Sequence, residues 1–252
     1  MVEKYEKCFE LLDSAENVVV LTGAGVSTLS GIPDFRGQNG FYTSNTKYGG
    51  FEMETLLSLG FFKRYPELFY GFANEFLYPM LNKVPSVAHI TLAKMQQRGI
   101  CRHIYTQNID RLHTKAGGIA YELHGNLVEH YCLECGKSDF SISEIVEKSA
   151  KGEVPYCSCG GLIKPKVVFY GENLDEELLD MAFADFERAD VALILGSSLT
   201  VTPVSTLPMA GRVNHKKLII VNAQETEYDK YAEFTFPDIA EFCNSATSYF
   251  KL

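Results

Sequence analysis

The run Val18-Val19-Val20-Leu21-Thr22-Gly23-Ala24-Gly25-Val26-Ser27, continuing to Pro33-Asp34-Phe35-Arg36-Gly37, is where the chain first declares its chemistry. A short apolar, β-branched segment breaks into two glycines, and hydroxyl residues follow. That is how a buried parallel strand hands over to a tight turn and a helix start. Small residues let backbone approach a diphosphate closely, and free N–H groups at a helix N-terminus favour its negative charge. Gly23, Ala24 and Gly25 therefore point to a nucleotide turn, against the alternative of an ordinary strand-to-helix turn. The G-x-G-x-x-G template is incomplete, because Thr28 stands where the third glycine belongs. No strand-end acid follows about twenty residues on to hold a ribose, as that template expects. Both departures count against a hydride-transferring dehydrogenase.

Size and charge set the frame. A chain of 252 residues, 46% apolar and 22% charged, has the composition of a globular protein with one large core or a core plus a small insertion. No apolar run approaches the roughly 20 residues that cross a bilayer. The N-terminal segment has no signal-peptide core, so a cytoplasmic location is expected. Net charge is −9, from 32 acids against 23 bases, which argues against direct nucleic-acid or membrane partners and is compatible with a basic peptide.

Strand and helix alternate through most of the chain. Residues 3–14 carry Tyr5, Cys8, Phe9 and Leu12 on one helical stripe. The loop 37–50 is rich in Gly, Asn, Ser and Thr and reads as a lid or a surface loop. From 52 to 83, Phe, Leu, Tyr and Met at helical spacing predict two or three satellite helices with breaks near Gly60 and Pro66. The stripe Phe62, Tyr65, Phe69, Phe72, Phe76 is either an apolar groove or core. A helix capped by Ser86 stops at Gly99. Strands are expected at 101–106, 120–124, Val191–Leu195 and Lys217–Val221, with helices at 175–188 and from Pro203, and Asp238 capping the last one. This rhythm predicts an α/β fold, a Rossmann-like parallel sheet with helices on both faces. Gly23-Ala24-Gly25, Gln107-Asn108-Ile109-Asp110, His124-Gly125-Asn126, Gly196-Ser197-Ser198 and Asn222 each sit just past an apolar strand. Parallel strands bring such ends to one edge, where open α/β sheets bind ligands.

Four of the seven cysteines form Cys132-x-x-Cys135 and Cys157-x-Cys159. Two close pairs at this separation match a zinc ribbon, with Gly136, Gly160 and Gly161 suited to the knuckles. Four thiolates leave no place for a catalytic water, so the zinc is expected to be structural. The second pair is one residue shorter than the usual C-x-x-C. Residues 126–170 are expected to form this small inserted domain, with 1–125 and 171–252 forming the dinucleotide-binding domain and a helical part at about 37–83. The backbone over 167–171 is read as a strand edge open to an extended peptide, or as a plain connection.

Taken together, GAGVSTLSGIPDFRG, TQNIDRLH, ELHGN, the cysteine pairs, KPKVVFYGENL, GSSLTVTP and IIVN resemble the sirtuin family of NAD-dependent protein deacylases. The resemblance spans nearly the whole chain and accounts for the missing glycine, since that family binds NAD through a variant of the dinucleotide fold. It implies NAD contacts from Gly23, Ala24, Gly25, Thr28, Asp34, Phe35, Arg36, Gly196, Ser197, Ser198, Asn222 and Asp238. It implies that Gln107 and Asn108 orient the nicotinamide ribose, and that Ile109 and Asp110 form the nicotinamide pocket. His124 would be the general base, with Asn108 beside it in catalysis. Val168, Phe169, Gly171 and Glu172 would hold the acyl-lysine peptide.

The implied reaction releases nicotinamide, joins the acyl oxygen to ribose C1′, and ends in free lysine and 2′-O-acyl-ADP-ribose. One dry pocket supplies the effective concentration, Phe35 would exclude water, and a near-neutral histidine takes the ribose proton. Desuccinylating members carry a Tyr-x-x-Arg pair; an ungapped placement puts Ala73 and Phe76 there, which implies neutral acyl groups. Mono-ADP-ribosylation at the same site and a non-catalytic NAD-sensing zinc-ribbon protein are the competing readings.

Overall fold

In a computed structural model of the 252-residue chain, the residues described are 2–34, 47–211 and 216–252. The expectations for Phe35 and Arg36, and for most of the loop 37–50, lie outside them.

The strands in chain order are β1 (Val18–Thr22), β2 (Lys47–Tyr48), β3 (Phe51–Glu52), β4 (His103–Thr106), β5 (Ala120–Glu122), β6 (Gly125–Cys132), β7 (Ile163–Val167), β8 (Val191–Leu195), β9 (Lys217–Val221) and β10 (Phe234–Phe236). Six of them form one sheet in the order β10-β9-β8-β1-β4-β5, parallel at every pairing. Numbering those six by their place in the chain gives 3-2-1-4-5-6, the dinucleotide-fold order, with the switch point beside β1.

Alternation along each strand feeds two cores. Val18, Val20, Ile104, Leu193 and Ile219 face the helices Val2–Ser14, Val87–Gln97 and Ile239–Phe250. Val19, Leu21, Tyr105, Ile194 and Ile220 face the helix Glu176–Arg188. Every residue of β1 and β8 is buried, as the unbroken apolar runs require of a doubly covered parallel sheet.

Helix ends follow local chemistry. Ser86 forms a capping box with His89, Asp175 accepts from the Leu178 amide, and Asp238 accepts from the Glu241 amide. The helix expected from Pro203 is a 3-10 helix, Val204–Met209, with Pro203 as its N-cap.

The breaks expected near Gly60 and Pro66 both occur in the satellite. The first falls at Leu57 and Ser58, between the helices Met53–Leu56 and Leu59–Arg64, with Ser58 as the cap and Gly60 just inside. Pro66 does open the next helix, Pro66–Phe72, which runs on as a π-turn (Ala73–Leu77) and a 3-10 turn (Tyr78–Asn82). Phe62, Phe69 and Phe72 are buried, so most of the aromatic stripe is core. That core is shared: the satellite residues form one apolar cluster with Leu127, Cys132, Ile145, Cys157, Ile163 and Phe169 of the cysteine-bearing insertion. A helix at Ile142–Ala150, not anticipated from the pattern, packs its Ile145 into this cluster.

Candidate active site

Strand ends of β1 and β8 interlock. The Gly23 amide donates to Leu195 O at 3.0 Å, and the Gly25 amide to Gly196 O at 2.8 Å. A Cβ on Gly23 or Gly25 would fall 2.6 Å from the Gly196 backbone, and one on Gly196, at φ +64°, 2.6 Å from the Val26 nitrogen. The glycines thus serve backbone-to-backbone packing of two turns as well as ligand access. The helix that follows is a single turn, Gly25–Thr28, shorter than the sequence implies. Thr28, in the place of the third glycine, donates its hydroxyl back to Gly25 O at 2.8 Å.

Beneath this turn lies a buried polar chain. Asn108 Nδ2 donates to Gly23 O at 3.0 Å and to Ser27 Oγ at 3.1 Å; Ser27 in turn donates to Asp110 Oδ2 at 2.6 Å. The other Asp110 oxygen accepts the Leu112 amide at 2.9 Å. Asn108, Asp110 and Ser27 are all buried, and burying them is tolerable because each is hydrogen-bonded. Asn108 has spent its donors inward, which leaves Oδ1 as the atom it can offer a ligand. Ser27 was not singled out in the sequence. Its signal was a hydroxyl on the turn after the second glycine, within reach of a buried acid.

Two buried histidines, also unremarked in the sequence, stand behind Asp110. His89 and His113 have ring centroids 4.7 Å apart, with His113 Nε2 2.9 Å from Thr22 Oγ1. Burial pushes His89 down to about 4 and His113 to about 3, so both are neutral at physiological pH.

Gln107 joins the two halves of the sheet edge. Its amide donates to Thr22 O at 2.9 Å, and its Oε1 accepts from Ser197 Oγ at 2.7 Å. Its carbonyl accepts from His124 Nδ1 at 3.0 Å. A carbonyl only accepts, so that bond puts the proton on Nδ1 and leaves Nε2 as a base. Burial lowers the His124 pKa, opposed by the bond to Gln107.

One residue on, β6 begins at Gly125, paired with Val167 of β7. Gly125 has φ +72°, and a Cβ there would lie 1.7 Å from Lys166 O, so no side chain fits. The Val168 amide donates to His124 O at 2.9 Å, which fixes the base against the expected peptide edge.

That edge is narrower than expected. Tyr170 is bonded through both backbone groups to Leu57 and Leu59, and Phe169 through both of its own to Glu172. The Phe169 ring is buried, and the Glu172 carboxylate turns inward to Lys164. Among the described residues, the groups left to a peptide are the Val168 carbonyl and the N–H and C=O of Gly171. The reason is long-range pairing to the satellite, which composition does not reveal.

Other expected contacts stand at the same sheet edge with local duties of their own. The Asn222 amide bonds to Phe236 O at 2.9 Å and its side chain to Gln224 O at 2.8 Å. Ser198 Oγ lies 3.0 Å from Thr200 Oγ1, and Ile109 is buried beside the Asp110 loop.

The cysteine pairs converge. Sγ atoms of Cys132, Cys135, Cys157 and Cys159 all lie within 4.8 Å of one another, with Cys132–Cys159 at 3.5 Å and Cys135–Cys157 at 3.8 Å. A tetrahedral zinc with bonds of about 2.3 Å separates its sulfurs by about 3.8 Å, so the donor set fits. Amides of Glu134 and Gly161 point at the Cys132 and Cys159 sulfurs, both at 3.4 Å. A Cβ on Gly161 would meet Cys132 Sγ at 2.5 Å, which shows how the short C-x-C pair is accommodated: the knuckle closes over a residue with no side chain.

A profile of the Sir2 family matches residues 23–203. An NAD-dependent protein deacetylase of Thermotoga maritima is 42% identical over 242 residues, covering 95% of each chain. One from Sulfolobus acidocaldarius is 39% identical, covering 96% of this chain and 92% of the relative. A solved structure of Sir2 with a p53 peptide and NAD+ superposes with a TM-score of 0.89 at 39% identity, covering 98% of this chain and 99% of that one. Another, of Sir2 bound to an acetylated peptide, gives 0.88 at 38% identity and the same coverage. With its sheet order, its interlocked glycine turns and its cysteine cluster in place, this chain belongs to the Sir2 family.

Proposed function

We propose that the chain is an NAD-dependent protein-lysine deacetylase that yields nicotinamide and 2′-O-acetyl-ADP-ribose. The observation that carries this reading is the tautomer and placement of His124. Its Nε2 is the free nitrogen, its Nδ1 is tied to Gln107 above the glycine turn, and its carbonyl is tied to Val168. One histidine therefore touches both the dinucleotide side and the peptide side. When bound, NAD supplies an electrophilic ribose carbon and a leaving group. His124 then takes a hydroxyl proton at Nε2. Asp110, ordered by Ser27, is the acceptor for a carboxamide, and Asn108 and Gln107 orient hydroxyl groups beside it.

The cofactor contacts are read as Gly23, Ala24, Gly25, Thr28, Asp34, Ile109, Gly196, Ser197, Ser198, Asn222 and Asp238, with Phe35 and Arg36 outside the described residues. The zinc held by the four cysteines is structural, because a four-thiolate set leaves no open position.

The substrate is read as a lysine peptide carrying a neutral acyl group, preferably in a basic context. An ungapped placement on the family's Tyr-x-x-Arg pair puts Ala73 and Phe76 at those positions, which supports this reading because neither side chain is cationic; Ala73 is buried and Phe76 stacks on Phe72. Asp175, Glu176, Glu177 and Asp180 follow the peptide edge in sequence, with no base among residues 172–180.

An acetyl-lysine peptide incubated with NAD is expected to lose the acetyl mass, and a succinyl counterpart to turn over more slowly. A gain of ADP-ribose mass on the peptide instead would replace this reading with ADP-ribosylation.

A further inference from the structure

Lys164 has a side chain only 1% exposed, and nothing in the chemistry above uses it. A buried ammonium is costly unless its donors are met. Here three acceptors converge on it: Glu172 Oε2 at 2.8 Å, Val167 O at 2.6 Å and Pro165 O at 3.2 Å. The Phe169 ring covers it, centroid 3.9 Å away, and the Tyr131 ring lies at 5.5 Å. Burial lowers the Lys164 pKa, and the Glu172 carboxylate opposes the shift.

Those contacts define a closed loop. Val167 stands at its start, Glu172 at its end, and the Phe169 ring between them. Glu172 Oε2 also accepts the Phe169 amide at 2.8 Å, and the Glu172 amide donates to Phe169 O at 2.9 Å. The two positions left open to a peptide, Val168 and Gly171, are the residues suspended between these anchors. Gly171, at φ +89°, makes the bend that a side chain would strain. On the strand behind, Lys164 pairs with Tyr131, one step from the Cys132–Ile163 pair, so its stem is fixed at the edge of the cysteine cluster.

We propose that Lys164 is a positioning residue for the substrate: its ammonium sets the curvature of residues 167–172 and so the spacing of the backbone groups that receive the acyl-lysine peptide. This rests on the reading of that loop as the peptide edge. Apolar side chains replacing both members of the pair would fill the space at little cost to stability, whereas removing Lys164 alone leaves the Glu172 carboxylate unpaired; neither change would draw two carbonyls and a carboxylate to one point. The ion pair therefore contributes shape rather than net stability.

The test is Lys164→Met, with Glu172→Gln alongside, each checked for zinc content and thermal midpoint. Steady-state constants are measured for acetyl-lysine peptide and for NAD. Lys164→Met is expected to raise the peptide KM about ten-fold, with kcat and the KM for NAD within about two-fold of the parent, the split that marks lost ground-state binding. Glu172→Gln keeps an oxygen for the Phe169 amide and is expected to shift the peptide KM in the same direction; it carries the test should Lys164→Met fail to fold. The double variant should be no worse than Lys164→Met alone, since both remove one contact. An unchanged peptide KM in the folded variant, or peptide and NAD constants moving together, overturns the proposal. A parent chain with no NAD-dependent deacylation removes the function reading and this proposal with it; an active parent with an indifferent Lys164→Met removes the proposal alone.

Discussion

At the scale of single residues, His124 shows how a backbone carbonyl can assign a chemical role. Gln107 O accepts from Nδ1, so Nε2 is the unprotonated nitrogen, the one proposed as the base, without any charged partner to hold the tautomer. His124→Ala is expected to lower kcat for deacylation by about 10² to 10⁴, the usual range for a lost general base. Its thermal midpoint should stay near the parent's, because the ring is only half-buried. Burial lowers the His124 pKa, so the working neutral form persists below the ordinary histidine value of 6.5. The plot of log kcat/KM against pH should accordingly fall on its acid side with a midpoint under 6.5; a midpoint above that value would mean another group is the base. His124 and Asp110 were legible in the sequence as polar residues just past apolar strands. Ser27 and His89 were not, because their contribution is to bond Asp110 or sit behind it, and for Ser27 that depends on residues 83 apart in the chain meeting.

Elements divide into those written in local pattern and those fixed by distant partners. β8 begins and ends where its apolar run does, and β9 does so apart from the exposed Lys217 at its start, since a strand buried on both faces has to be continuously apolar. The caps at Ser86, Asp175 and Asp238 were equally local. The satellite was not. Its π-turn over Ala73–Leu77 places Ala73 and Leu77 in the apolar cluster shared with the cysteine-bearing insertion, which helix propensity alone does not dictate. Glycines make the same distinction testable. Gly99 and Gly196 both have positive φ, but a Cβ on Gly99 meets nothing within 4 Å, whereas one on Gly196 meets backbone at 2.6 Å. Gly99→Ala should cost about 1 kcal/mol, the left-handed penalty alone. Gly196→Ala should cost at least about twice that, since backbone must move, and it should also weaken NAD binding. Denaturant melts of the two variants check this; equal losses would mean the β1 and β8 turns are not rigidly interlocked.

For the molecule as a whole, apolar clusters rather than sequence segments mark out its parts. Two flank the parallel sheet, and the third joins the satellite to the insertion, with Cys132 and Cys157 buried in it. The cysteine cluster is therefore continuous with the apolar wall that includes Val167 and Phe169, not a pendant. Stripping zinc with a strong chelator should lower the thermal midpoint and abolish peptide deacylation, while NAD binding at the sheet edge is retained in larger part. Metal analysis, calorimetry and NAD titration on one sample test this; full deacylation by metal-free protein would show that the thiol cluster is dispensable. Among the described residues no helix is long and apolar enough to cross a membrane.

The bond from the Val168 amide to His124 O has a mechanical meaning. On the proposed reading, base and peptide edge hang on the same rung where β6 meets β7, with Gly125 and Val167 as neighbours. The His124 ring is held by Gln107 of the sheet edge and its carbonyl by Val168 beyond it, so a swing of the smaller half relative to the sheet would turn about this residue. Proton acceptor, cofactor edge and peptide edge would then share one pivot, with their alignment set once, when the chain folds.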